Sequence, residues 1–284
     1  MQIIKFRDRQ GTVHVGILSN QQVHTIKNVK SGSLSVSQAL QTPIDQLKSS
    51  LSDSCDQASI QEFLAPLDEQ EIWGAGVTYL RSKKAREDES EQAATFYDQV
   101  YQADRPELFF KATPHRVVGS GKPIRVRADS NWTVPEPELA LFLSPQLELI
   151  GYTLGNDVSA RDIEGRNPLY LPQAKLYDAC CAIGPAVTPA ALMPKLADVE
   201  IRLSIERQGK TIFDGGTSVG RMARGVDELI AWLGRDNSFP NGVILLTGTG
   251  IVPPDDFTLQ AGDIVTIASE PIGQLVNSVV QGSA

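Results

Sequence analysis

The sequence predicts an α+β protein dominated by strands, with a small β-rich N-terminal domain over residues 1–70 and a larger strand-rich domain over 71–284. Three observations carry this prediction. Short β-type runs separated by turn residues open the chain, apolar runs of strand length recur through the rest, and helical spacing is confined to a few segments. The chain shows no internal repeat, low-complexity stretch, Rossmann fingerprint or Walker pattern.

Ile3–Phe6, Thr12–Leu18 and Val23–Ile26 read as the first strands, with Asp8-Arg9-Gln10-Gly11 and Ser19-Asn20-Gln21 as their turns. His14 and His24 fall inside these strands and read as structural histidines. From Ser37 onward, Leu40, Ile44, Leu47 and Leu51 recur at three- and four-residue spacing, which predicts a helical stretch. The polar run Ser49–Gln57 predicts a loop.

Ile72-Trp73-Gly74-Ala75-Gly76-Val77-Thr78-Tyr79 opens the larger domain as a strand. Between Leu80 and Val100 come Arg81, Lys83, Lys84 and Arg86, then Glu87, Asp88, Glu89 and Glu91. Such mixed charge fits a solvated helix, and the glycines ahead of it fit a mobile lid over a site. Glu107 and Lys111 bracket Leu108-Phe109-Phe110, a short buried strand whose charged ends are either surface groups or pocket lining. Gly119-Ser120-Gly121-Lys122-Pro123 lacks phosphate-loop spacing and predicts a turn.

The stretch Trp132–Leu143 enters polar and Pro-punctuated and leaves as a continuous apolar strand. Strand side chains alternate between faces, so Glu136 and Glu138 share one, where two carboxylates repel unless a cation lies between them. Pro135 and Pro137 cannot donate to a ladder, which marks an edge, a strand start or a bulge. The pair fits either half of a hard-cation site or a solvated strand edge. The next strand ends on Asn156-Asp157 and so places Asp157 as a third carboxylate. Asp162 reads as a cap or ion-pair residue, and Glu164 fits either role. Lys175 is a lone cation in aromatic and apolar company; it either snorkels to water or is buried against carboxylates.

Cys180 and Cys181 read as small core residues. Val199–Ile205 alternates and pairs with Lys210–Asp214 across Arg207-Gln208-Gly209. Val226–Gly234 is an amphipathic helix ending on a glycine cap. Val243–Leu246 is a buried strand running into Thr247-Gly248-Thr249-Gly250, a turn that is plain or brings its backbone N–H groups to an anionic ligand. Strands over Asp263–Ile267 and Gln274–Val280 close the fold.

A net charge of −8 argues against a nucleic-acid partner. With no run of eighteen apolar residues the sequence predicts no membrane span, and the first residues lack a secretory plan. Three cysteines, two of them adjacent, suit a reducing compartment, so the expected location is cytoplasmic.

Glu136-Pro137-Glu138, then Gly151-Tyr152-Thr153 with Asn156-Asp157-Val158-Ser159-Ala160-Arg161-Asp162, then Ala174-Lys175, resemble the signature of the fumarylacetoacetate hydrolase family. The resemblance runs from about residue 70 to the C-terminus. It is narrowest with the branch that dehydrates 2-keto-3-deoxy sugar acids, through Trp73-Gly74, Arg105–Pro114, Asn167–Gln173, Cys180-Cys181 and Thr247-Gly248-Thr249. The resemblance implies a mixed β-sandwich roll preceded by a small N-terminal domain, assembled as a homodimer or homotetramer. It implies that Glu136, Glu138 and Asp157 hold a divalent ion, Mg²⁺ by donor type with Mn²⁺ or Ca²⁺ as substitutes. Lys175 falls on the family's active-site lysine.

One departure bears on the reaction. Hydrolytic members carry an Asn-Tyr-x-x-His stretch whose His, with a Glu, activates water. Here Thr78-Tyr79-Leu80-Arg81-Ser82 stands in its place, and Ser alone is no base near neutral pH. The implied activity is therefore Mg²⁺-dependent dehydration of a small keto acid, a 2-keto-3-deoxypentonate, to 2,5-dioxopentanoate, with Lys175 and Glu107 as the proton-transfer groups. Tyr79, Arg81, Lys111, Glu164 and Thr249 are the expected substrate contacts. The alternatives are a metal-dependent hydrolase or decarboxylase of a 2,4-dioxo acid, and a catalytically silent metal-binding scaffold.

Overall fold

A computed structural model describes residues 1–20, 22–26, 34–55, 60–79 and 103–283. Its strands before the central pair are β1 (Gln2–Asp8), β2 (Val13–Ser19), β3 (Gln22–Ile26), β4 (Leu51–Cys55), β5 (Ile60–Leu64), β6 (Glu71–Gly76), β7 (Glu107–Ala112), β8 (Val117–Val118), β9 (Ile124–Val126) and β10 (Thr133–Val134). The central pair is β11 (Pro137–Leu143) and β12 (Leu149–Asp157). Then come β13 (Ser159–Ala160), β14 (Cys181–Pro189), β15 (Glu200–Arg207), β16 (Lys210–Ser218), β17 (Val243–Leu246), β18 (Ile264–Ser269) and β19 (Gly273–Gln281). Helices are short: α1 (Val36–Gln41), α2 (Ile44–Ser49), α3 (Arg161–Arg166), α4 (Leu171–Lys175) and α5 (Val226–Leu233).

The larger sheet runs β4-β3-β2-β1-β14-β12-β11-β17-β6-β7, with β5 added to β1 and β8 to β14. A single 3₁₀ turn at Pro114–Arg116 separates β7 from β8, which pairs in parallel with β14 through Cys181↔Val117. The path from β14 through β7 therefore returns to β14, and the sheet rolls up. A second sheet, β16-β15-β18-β19-β9, packs against it. This is the expected mixed β-sandwich roll.

β11 shows why its sequence is apolar without alternation. Leu139, Leu141 and Leu143 join the core shared with Leu203, Ile205, Val265 and Ile267 of the second sheet. Ala140 and Phe142, on the other face, pack with Ile3, Ile17, Val36 and Ala39 of the N-terminal segment. A strand buried on both faces carries no polar side. The N-terminal strands are joined to this sheet by β1, which pairs antiparallel with β14 at Ile3↔Val187.

Two local expectations are corrected. The helical stretch from Ser37 is two helices split at Thr42-Pro43, because Pro43 denies the backbone donor a continuous helix needs. The first begins earlier, where Ser35 caps it in a reciprocal box with Gln38. The loop expected over Ser49–Gln57 contains β4, which pairs with β3; ladder bonding, not apolar periodicity, holds this strand. His14 is structural as expected: its ring stacks on Phe6 and lies 2.7 Å from Asp8. Among the described residues no helix is long and apolar enough to cross a membrane.

Candidate active site

Pro137 opens β11, so the missing donor costs nothing at a strand start. Because β11 lies between β12 and β17, the residues around its beginning are buried rather than at a sheet edge. Pairing with β12 sets Pro137 opposite Asn156 and Glu138 opposite Gly155, which brings Asp157 level with Glu136. The Asp157 N–H donates to the Glu136 carbonyl at 3.0 Å, and the Glu136 N–H donates to Asn156 Oδ1 at 3.1 Å. One carboxylate oxygen from each of Glu136, Glu138 and Asp157 lies within 4.8 Å of the others, and all three residues are buried. The solvated-edge alternative is thereby excluded.

Lys175, the last residue of α4, is also buried. Its Nζ donates to Glu136 Oε2 at 2.8 Å, Asp157 Oδ2 at 2.9 Å and Ser159 Oγ at 2.6 Å. The snorkelling alternative is excluded as well. Ser159 in turn donates to the Asp157 carbonyl at 2.9 Å. Arg161 closes the far side of Glu136, donating through Nη2 at 2.8 Å and Nε at 3.2 Å to Oε1. Glu138 takes its hydrogen bond from the Gly248 backbone N–H at 2.5 Å. The anion approached by this small-residue turn is thus the protein's own carboxylate. Gly248 has φ +86°, and a Cβ there would meet Thr78 Oγ1 at 2.1 Å, so only glycine delivers that N–H.

Charge is unbalanced in this buried volume. Four carboxylates (Glu136, Glu138, Asp157 and Glu164) face three cations (Lys111, Lys175 and Arg161). Glu138 takes the deficit. Burial first, then Asp157 and Glu136, push its carboxyl well above the usual carboxylate value, while Lys175 and the Gly248 amide oppose the shift only in part. An all-oxygen set with an anionic surplus suits a hard divalent cation.

The other expected site residues divide. Tyr79 is buried, and burial followed by the nearby Glu138 charge raises its phenol above the ordinary range. Glu107 begins β7 opposite Gly76, and a Cβ on Gly76 would lie 1.8 Å from Glu107 Oε2; the missing side chain makes room for the carboxylate. Glu164 is buried with its carboxylate 3.9 Å from Arg161. Thr249 is buried, but its hydroxyl bonds with the backbone of Ile251, two residues on, which makes it a turn-capping group here. Arg81 and the segment read as a helix or lid lie outside the described residues.

Lys111, expected as a substrate contact, lies among groups of the protein itself. It is completely buried, 2.5 Å from Asp157 Oδ1, and donates to the carbonyls of Val158 and Lys175 at 3.0 and 2.6 Å. Its ammonium is thus taken up by two carbonyl acceptors and by the ion pair with Asp157. Burial alone would depress its pKa, but Asp157, Cys180 and Cys181 hold it above the ordinary lysine range. Sequence reasoning assigned no role to Arg161, Ser159 or Gly76. The first two stand inside the Ser-Ala-Arg-Asp signature, which was their only signal; Gly76 had none, because what matters is which group fills the space it leaves, whereas Gly248 stood in the turn read as plain or as approaching an anion.

A rolled β-sheet that buries a carboxylate triad against a lysine ammonium defines an enzyme domain with a candidate metal site. The chain belongs to the fumarylacetoacetate hydrolase family: residues 71–280 match the family described as fumarylacetoacetate (FAA) hydrolase, C-terminal. A probable 2-keto-3-deoxyxylonate dehydratase of Haloferax volcanii is 48% identical over 248 residues, covering 86% of this chain and 85% of the relative. A 2-dehydro-3-deoxy-D-arabinonate dehydratase of Saccharolobus solfataricus is 47% identical over 220 residues, covering 75% and 73%. A solved 2-keto-3-deoxy-D-arabinonate dehydratase, complexed with magnesium and 2,5-dioxopentanoate, superposes with TM-score 0.87 at 36% identity, covering 100% of both chains.

Proposed function

We propose that this protein is a Mg²⁺-dependent hydro-lyase that converts a 2-keto-3-deoxypentonate to 2,5-dioxopentanoate. The observation that carries the reading is the full-length likeness to a dehydratase that holds magnesium and this product. The buried triad and Lys175 supply chemistry that matches it.

Glu136, Glu138 and Asp157 are the residues that would hold the ion. Bound there, a divalent cation supplies Lewis-acid polarisation of the keto acid and competes with the Lys175 ammonium for the same carboxylates. Lys175 is assigned the removal of the C3 proton as the neutral amine, so its ammonium first gives up to solvent one of the protons it directs at Glu136, Asp157 and Ser159; Arg161 and Ser159 keep those carboxylates in place. Glu107 is assigned the departure of the C4 hydroxyl: its carboxyl proton leaves with that hydroxyl as one water, and a C3–C4 double bond remains. The resulting Glu107 carboxylate then takes a proton from C5 while C3 is reprotonated, which moves the double bond to C4–C5. The enol so formed ketonises to the C5 aldehyde. Tyr79 and Arg81 are assigned to substrate binding, and Thr249 to holding the turn beside it. A hydrolytic route would need a water-activating base, and the chain carries Ser82 where hydrolytic relatives have His.

The test is direct. Protein, Mg²⁺ and 2-keto-3-deoxypentonate should yield 2,5-dioxopentanoate and one water per turnover, detected as the aldehyde; cleavage of an acylpyruvate with no dehydration would refute the reading.

We also propose a homodimer or homotetramer in a reducing, cytoplasmic setting. Buried free Cys180 and Cys181 support the setting. Leu169 at 83% and Leu192 at 42% exposure support an assembly that covers apolar surface. A monomeric mass by light scattering at micromolar concentration would refute the assembly.

A further inference from the structure

Lys111 is fully buried, and the chemistry above gives it no proton to move. It stands on β7, the last strand on the sheet path, whose backbone is paired with β6 alone among the described strands. Across from β7, where the roll closes, lie Asp157 and Val158 at the end of β12 and Lys175 at the end of α4. No backbone ladder links β7 to them. The ammonium does so instead, ion-pairing with a side-chain oxygen of Asp157 and donating to the main-chain carbonyls of Val158 and Lys175. The Tyr177 ring lies 5.9 Å from Lys111 Nζ, and its hydroxyl donates to the same Val158 carbonyl at 3.2 Å.

We propose that Lys111 is the positioning residue of this active site, fixing the side chain of Asp157 and the backbone of Lys175 across the seam of the roll. The inference rests on reading Asp157 as a metal ligand and Lys175 as the base. Two features separate this role from general support of the fold. Its contacts converge on the two groups assigned to metal and proton transfer, and a single Nζ reaches both. Rotation of Asp157 or a shift of the α4 terminus would misplace a ligand and a base together, and small misplacements are costly in catalysis.

The test compares wild type with Lys111→Gln and Lys111→Met. Both variants lose the charge and have similar volume, and only Gln keeps hydrogen-bond donors, so their difference isolates positioning from electrostatics. Three readouts apply: Mn²⁺ affinity of the protein with metal alone, kcat and KM of the Mg²⁺-loaded enzyme, and amide hydrogen exchange. Lys111→Met should bind Mn²⁺ at least tenfold more weakly than Lys111→Gln and show a kcat at least tenfold lower, with KM within threefold. Exchange at 157–160 and 174–177 should quicken in both variants while the second sheet is unchanged. Equal Mn²⁺ affinities within twofold, or a folded Lys111→Met enzyme with kcat within threefold of wild type, would overturn the proposal. Should Lys111→Met not fold, Lys111→Gln decides against wild type: faster exchange at those segments with at least tenfold lower kcat supports positioning, and unchanged exchange or kcat refutes it. Should wild type turn over no keto acid, the function fails, while the Mn²⁺ and exchange readouts still decide the role of Lys111.

Discussion

Lys175 Nζ lies 2.8 Å from Glu136 Oε2 and 2.9 Å from Asp157 Oδ2, on two of the three carboxylates that form the candidate metal site. One ammonium therefore spans the place where a divalent ion would share the same oxygens. In the proposed mechanism the base and the metal would draw on the same carboxylates.

Replacing Lys175 should separate these roles. Lys175→Met removes the competing cation, so Mn²⁺ affinity should hold or rise, while turnover falls by about 10²–10⁴, the range for loss of a general base. Metal titration followed by electron paramagnetic resonance, alongside aldehyde production, checks both. Weaker Mn²⁺ binding would show that Lys175 supports the site instead of competing for it.

Glu138 should couple metal binding to pH. Its carboxyl is raised, chiefly by burial and then by Asp157 and Glu136, so at a pH where it is protonated a metal would displace a proton there. Affinity should rise with pH through a range above the ordinary carboxylate value of 4.5, with proton release on binding. Glu138→Gln mimics the protonated form, so it should flatten this dependence, leave metal-free stability nearly unchanged and weaken Mg²⁺ at least tenfold, about 1.4 kcal/mol. Calorimetry in buffers of differing ionisation heat measures the proton count.

Gly76 should be intolerant for a catalytic reason. Its Cβ would sit 1.8 Å from Glu107 Oε2 and 2.5 Å from Glu107 Cδ, so Gly76→Ala must displace that carboxylate. We expect kcat to fall by about tenfold or more, with a melting temperature a few degrees lower at most, because Ala itself suits a strand better than Gly. Unaltered kcat would remove Glu107 from the chemistry.

The N-terminal segment should loosen in acid. Lys122, and next Arg7, hold Glu62 of β5 below the ordinary carboxylate value. A depressed carboxyl adds stability above its unfolded pKa and loses it as pH falls through the lower folded one. The groups are partly exposed, so the contribution is below about 1 kcal/mol. Glu62→Gln should lower the melting temperature slightly at pH 7 and not at pH 3; an equal loss at both would disprove the ionic origin.

The sequence by itself determined the class of fold and the site's membership. Uninterrupted apolar runs such as Leu139–Leu143 mark strands buried on both faces, and Glu136, Glu138, Asp157 and Lys175 stand in the spaced pattern that resembles the family signature. Tertiary structure decided what those residues touch. The split of the first helical stretch was legible at Pro43, whereas β4 was not, since a polar strand held by its neighbour's ladder leaves no periodic signal. Lys111 and Lys175 are both lysines in apolar company, and no local property tells them apart. Only the rolling of the sheet, which brings β7 against the end of β12, ties one of them to Asp157 and two main-chain carbonyls across a seam and sets the other between the carboxylates of Glu136 and Asp157. The contacts of Lys111 join residues 46 to 64 positions apart and those of Lys175 with the carboxylates 18 and 39, so they follow from how the strands close and not from any neighbouring sequence.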